Sequence, residues 1–147
     1  MVRYFRFVWL CFVLMIIPLR GLFAQDSHQI IVTVLGASNE GSEFNLDNDA
    51  YRDKLIKLFS YTSYNQITQK KVSLQKTEMQ TLTLPQSYEL LLSLKAEEQG
   101  RILIQATILK EKQKFLDTSL SILKPGVVFL GGPPFEKGDL VLVLEAV

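Results

Sequence analysis

Residues 88–122, YELLLSLKAEEQGRILIQATILKEKQKFLDTSLSI, decide the fold. Tyr88, Leu90, Leu92 and Leu94 alternate with more polar neighbours, and Glu97-Glu98-Gln99-Gly100 turns the chain into Ile102, Ile104, Ala106 and Ile108. Glu111-Lys112-Gln113 makes a second turn, after which Leu116, Thr118, Leu120 and Ile122 oppose Asp117, Ser119 and Ser121. A period of two places successive side chains on opposite faces of a strand, and short polar turns join antiparallel neighbours. The stretch therefore predicts hairpin-linked strands with one buried face.

The same period continues on both sides. Downstream, Pro125-Gly126 breaks the strand, Val127 to Leu130 is short and apolar, and residues 131–138, GGPPFEKG, read as a loop. Leu140 to Val147 is apolar on both faces, the pattern of a central strand covered on each side. Upstream, Ile67 to Leu74 and Met79 to Leu84 are predicted strands separated by Gln75-Lys76-Thr77, with Pro85 closing the second. Before Tyr64 the period is helical. Asp47 stands as N-cap, Leu46 and Tyr51 as a hydrophobic staple, and the helix runs from about Asn48 to Ser60. Its apolar face is Tyr51, Leu55, Leu58, Phe59 and Thr62, with Arg52, Asp53, Lys54 and Lys57 toward solvent. A β-branched strand, Gln29 to Leu35, precedes it, followed by a polar loop from Ala37 to Asn45. This order predicts an α+β domain: an N-terminal strand and one amphipathic helix packed on a mostly antiparallel sheet of about seven to eight strands.

Residues 1–24, MVRYFRFVWLCFVLMIIPLRGLFA, have a different character: Arg3 and Arg6, an apolar run of 11 residues from Phe7 to Ile17, then Pro18 and a tail ending in Ala24. That is the layout of a secretory signal peptide. The run would make about 16 Å of helix, half of what a hydrocarbon core needs. Cleavage near Ala24 is expected, leaving 25–147 as a single exported α+β domain, periplasmic or secreted. Contact with a membrane is expected only through the leader, were it retained as an anchor. The leader also holds the one Cys and the one Trp of the 147 residues, and three of the 16 basic residues. The remaining 123 residues carry 13 Lys+Arg against 15 Asp+Glu and no thiol, so no disulfide can form and the core alone must hold the domain.

Few chemistries remain open. His28 is the sole histidine and lies close to the expected new N-terminus, where a solvated, mobile side chain is expected rather than a general base. One His and no Cys exclude a four-ligand zinc site. Asp47, Asp49 and Asp53 resemble the start of a calcium loop, but its sixth and twelfth positions are Arg52 and Leu58 rather than Gly and Glu. Glu89, Glu97, Glu98, Asp117 and Glu145 fall on turns or at solvent positions of different strands, not in one cleft. Lys110, Lys112 and Lys114 flank a hairpin tip without an interleaved aromatic ring, and near-neutral charge argues against nucleic acid. No enzymatic activity, metal or cofactor is expected.

The 131–138 segment lacks the amide donors and the following helix of a phosphate loop. Glycines and prolines make it a rigid connection, and Phe135, with Pro133 and Pro134 behind it, is the candidate contact point for a partner. The competing reading folds the Phe135 ring back over the sheet edge.

Residues 118–147, TSLSILKPGVVFLGGPPFEKGDLVLVLEAV, resemble the end of secretin-type outer-membrane domains, with a T-x-hydrophobic start, G-x-V, G-G and a final apolar strand. Pro133 stands where secretins usually carry an apolar residue, and the chain has no room for long membrane hairpins. More broadly, the chain after its leader is similar to exported bacterial envelope proteins that share the helix followed by SYTSY (residues 60–64) and a terminal GGPP loop. What these resemblances imply is an envelope accessory protein that binds another envelope protein, of the secretion or pilus machinery. The expected function is thus non-enzymatic protein–protein contact in envelope assembly or secretion. The alternative is a small-ligand binding module whose pocket between helix and sheet is lined by residues such as Tyr61, Tyr64 and Tyr88.

Overall fold

The computed structural model describes residues 27–147. The leader and the cut after Ala24 lie outside the described residues. The chain runs β1 (His28–Ser38), β2 (Phe44–Asn45), a 3-10 turn (Asp49–Tyr51), α1 (Arg52–Leu58), β3 (Ser63–Leu74), β4 (Met79–Thr83), a second 3-10 turn (Pro85–Ser87), β5 (Tyr88–Glu98), β6 (Arg101–Lys110), β7 (Gln113–Leu123), β8 (Gly126–Phe135) and β9 (Gly138–Ala146).

These nine strands form two sheets rather than one, in the orders β2-β3-β1-β9-β8 and β4-β5-β6-β7. Every pairing is antiparallel except the two-residue contact of β2 with β3. The expectation of a single sheet of seven to eight strands is corrected here. Alternation reports that a strand has one apolar face, and it is silent on what covers that face. In this chain a second sheet covers it. Ile30, Val32 and Val34 of β1 and Leu140, Leu142 and Leu144 of β9 meet Leu90, Leu92, Leu94, Ile102, Ile104 and Ile108 of β5 and β6. The helix covers the opposite face of the five-stranded sheet, where Tyr51 and Leu55 pack with Leu35, Tyr64, Val141 and Val143. β9 is therefore apolar on both faces for the reason expected: one side faces the other sheet and the other faces α1, leaving Leu140 to Leu144 at most 1% exposed.

Turn chemistry sets the hairpins. Gln99 and Gly100 between β5 and β6, and Glu111 and Lys112 between β6 and β7, all take positive φ, the paired left-handed geometry that matches strand twist. β8 is longer than expected, since most of the supposed 131–138 loop belongs to it and only Glu136-Lys137 turns the chain. Gly138 is obligatory after that turn, because a Cβ there would lie 1.8 Å from the Ala37 carbonyl oxygen.

The helix is shorter than its periodicity predicts. Asp47 does not cap it: its backbone N–H donates to Gln66 Oε1 at 3.2 Å and its carboxylate accepts from Gln66 Nε2 at 2.6 Å, pinning the loop to β3. Asn48 caps the preceding 3-10 turn, its side chain accepting from Ala50 N–H at 3.0 Å, and α1 begins at Arg52 without a side-chain cap. At the other end Phe59 is already extended and the Thr62 N–H donates to the Ser38 carbonyl, so the chain enters the sheet early. Leu58, expected on the buried face, is 60% exposed as a result.

Candidate interaction surface

The structure gathers a surface around Gly36. In β3 the register against β1 shifts between Gln66 and Thr68, leaving Ile67 as a bulge residue. In β8 the register against β9 shifts between Gly131 and Pro134, and the strand ends at Phe135, opposite Gly138. The Ile67 and Phe135 side chains approach each other over Gly36, where an added Cβ would stand 3.1 Å from Phe135 Cε1 and 3.4 Å from Ile67 Cδ1. Only a residue without a side chain lets both lie flat on the sheet at this point.

The result is an open cleft of about 580 Å³ lined by Gly36, Ala37, Ser38, Asn65, Ile67 and Phe135, with Glu40, Glu136 and Lys137 at the rim. All of these come from the five-stranded sheet, its β8–β9 turn and the β1–β2 loop, and none from the second sheet. Ile67 is 41% exposed and Phe135 is half-buried. Lys137 Nζ donates to Glu40 at 2.8 Å, and that carboxylate holds the ammonium above its ordinary value. Asn65 is fixed from the β2 side, its Oδ1 accepting from Asn45 Nδ2 at 2.6 Å.

Of the three residues singled out from sequence, Phe135 lies in this cleft, Pro134 is exposed beside it and Pro133 is buried. The prolines sit on an edge strand at its register shift against β9, where a missing N–H is tolerated. Gly36, Asn65 and Ile67 were not marked by the sequence. A bulge is set by the pairing of two distant strands, and no local pattern announces it.

The other candidates separate. Tyr61 and Tyr64 share the helix-side cluster, edge to face with centroids 6.4 Å apart, whereas Tyr88 is buried between the sheets with Phe115 against it at 5.9 Å. Tyr61 donates to Asp139, and this bond, with burial, pushes its hydroxyl up to about 12. Tyr51 donates to Glu145 at 2.6 Å, and burial followed by that carboxylate pushes it up to about 12 as well. Asp117 accepts from Gln105, Thr107 and Lys114, which hold its carboxyl below the usual range.

His28 corrects its expectation outright. It is 3% exposed, with Nε2 2.9 Å from a Glu97 oxygen and Nδ1 3.1 Å from Lys124 Nζ. An ammonium can only donate, so Nδ1 accepts and the Nε2 proton goes to the carboxylate. β1 begins at this residue, and the three groups tie the first sheet to the end of β5 and to the segment following β7. Among the described residues no three His, Cys, Asp or Glu side chains converge as metal ligands, and no helix is long and apolar enough to cross a membrane.

Compared with protein-family models, curated proteins and solved structures, the chain matches none.

Proposed function

We propose that this chain is an exported, non-enzymatic domain, periplasmic or secreted, that works by protein–protein contact in envelope assembly or secretion. The observation that carries the reading is the meeting of Phe135 and Ile67 over Gly36 in an open cleft. Two part-exposed apolar side chains at the centre with a Glu40–Lys137 pair at the rim make the anatomy of a contact patch. The strands on either side hold both side chains in place, so little conformational freedom is lost on docking. Export rests on the leader pattern of residues 1–24, and an envelope partner, from secretion or pilus machinery, rests on the secretin-like ending of the chain.

The test is affinity capture from envelope extracts with the full tagged chain, wild type against Phe135→Ala and Ile67→Ser, each checked for folding by thermal melt. A defined envelope protein should be recovered by the wild type and lost from both variants. Capture unaffected by either substitution would remove the cleft from the reading, and repeated recovery of no partner would sink the reading itself. A small apolar molecule that co-purifies with the wild type and not with the variants would instead favour the ligand-binding module.

A further inference from the structure

β8 has an open outer edge, for among the described strands only β9 pairs with it. An unpaired edge is a template for another strand, and proteins guard it by shortness, charge, proline or a bulge. The other edges of these sheets are guarded in that way. β2 is two residues long and β4 five, β7 carries Lys114 and Asp117, and the part of β3 beyond β2 carries Lys70 and Lys71. β8 is ten residues long, residues 125–135 contain no charge, and its own guards, Pro133, Pro134 and the register shift between Gly131 and Pro134, are confined to one end.

The sequence along that edge has a symmetry. Pro125-Gly126-Val127-Val128-Phe129-Leu130-Gly131-Gly132-Pro133 begins with Pro-Gly read from either end and has Phe129 at its midpoint. Both prolines lack the N–H that would extend a ladder, and the residues they bracket keep a regular register against β9 from Gly126 to Gly131. In a two-fold contact residue i meets residue j and j meets i, so the strand must complement its own reverse, and here the symmetry sets proline opposite proline at both ends. From these facts we infer that β8 pairs antiparallel with β8 of a second copy, about a two-fold axis at Phe129, joining two five-stranded sheets into one.

Packing and charge agree with that occupant. Val128 and Leu130 are half-buried against the core between the sheets, and Val127 and Phe129 are half-buried on the helix side, so an added strand must be apolar on both faces. β8 meets that requirement itself. The axis sets Phe129 opposite the partner's Phe129 and Val128 opposite the partner's Leu130. The first charges outside the prolines are Lys124 at one end and Glu136 with Lys137 at the other, and the two-fold keeps the two Lys124 side chains at opposite ends of the contact. This contact uses the strand edge rather than the Phe135 cleft, and its outcome is independent of the cleft's role.

Cysteine cross-linking of the full chain tests it. Cys11→Ser removes the one native thiol, so each introduced Cys reports alone. Under mild oxidation Phe129→Cys should give a disulfide-linked dimer about tenfold more readily than Val127→Cys or Gly131→Cys, because only the axial residue faces its own copy within disulfide reach. An equimolar mixture of Val128→Cys and Leu130→Cys should give the mixed dimer in preference to either homodimer, and this pair decides the matter if Phe129→Cys melts early. Light scattering of the Cys11→Ser parent should show a dimer at high micromolar concentration. A monomer at every concentration, or cross-linking equal at all positions, would overturn the inference.

Discussion

The Tyr51 hydroxyl donates to the Glu145 carboxylate at 2.6 Å, joining the start of the helical segment to the last strand across 94 residues of sequence. Tyr61 makes the matching bond to Asp139 on the other side of α1. Asp139, Val141, Val143 and Glu145 share one face of β9, so the segment is clamped by a tyrosine–carboxylate bond at each end with Leu55 packed between.

This clamp predicts an alkaline limit. Both hydroxyls are raised from 10.0 to about 12 in the folded chain. The native state therefore keeps protons that the unfolded chain releases, and stability present below pH 10 falls as pH rises toward 12. Denaturant titrations across that window should show the fall, and Tyr51→Phe should reduce it to the part that Tyr61 contributes while costing about 1 kcal/mol at neutral pH through the lost bond. A pH dependence unchanged in Tyr51→Phe would contradict the assignment.

His28→Ala should cost about 1–3 kcal/mol, since it removes the buried group that Glu97 and Lys124 both contact at the start of β1. A solvated terminal histidine would cost nothing. Thermal melts of wild type and variant separate the two outcomes.

Leu142 is fully buried between the sheets, and Leu142→Ala should lose 2–5 kcal/mol, as is typical for such truncations, against a total of about 5–15. Deleting 140–147 removes a strand with neighbours on both sides and should leave no cooperative transition in circular dichroism.

Gly36→Val should displace the Phe135 ring, because even the first added carbon sits 3.1 Å from it. The expected outcome is a folded chain destabilised by about 1–3 kcal/mol, a range typical of overpacking, with Phe135 more exposed to solvent. Proton NMR shifts of the Phe135 ring would report the displacement, and an unshifted ring would show that the cleft can absorb the extra volume.

The alternating residues of 88–122, the turns at Gln99-Gly100 and Glu111-Lys112 and the two-faced apolar run of β9 were legible in sequence, because each is a local consequence of the two-residue period or of backbone sterics. The helix was legible as an element, and its ends were not: Gln66 takes Asp47 away from the cap, and Ser38 draws Thr62 into the sheet. At the candidate site Phe135 could be nominated for its place among glycines and prolines, while Ile67 and Gly36 could not, since their meeting depends on bulges in strands paired over long distances.

By itself, then, the sequence determined the strand-rich character of the chain, most of its turns and the inward faces of its alternating strands. Tertiary structure alone decided that the apolar faces close as two sheets, that His28 is buried between Glu97 and Lys124, and that Phe135 reaches Ile67. The physical reason is range. Periodicity reports the orientation of a side chain relative to its neighbours along the chain, whereas burial, hydrogen-bond partners and clefts depend on which distant strand arrives opposite, and that is settled by packing the whole core at once.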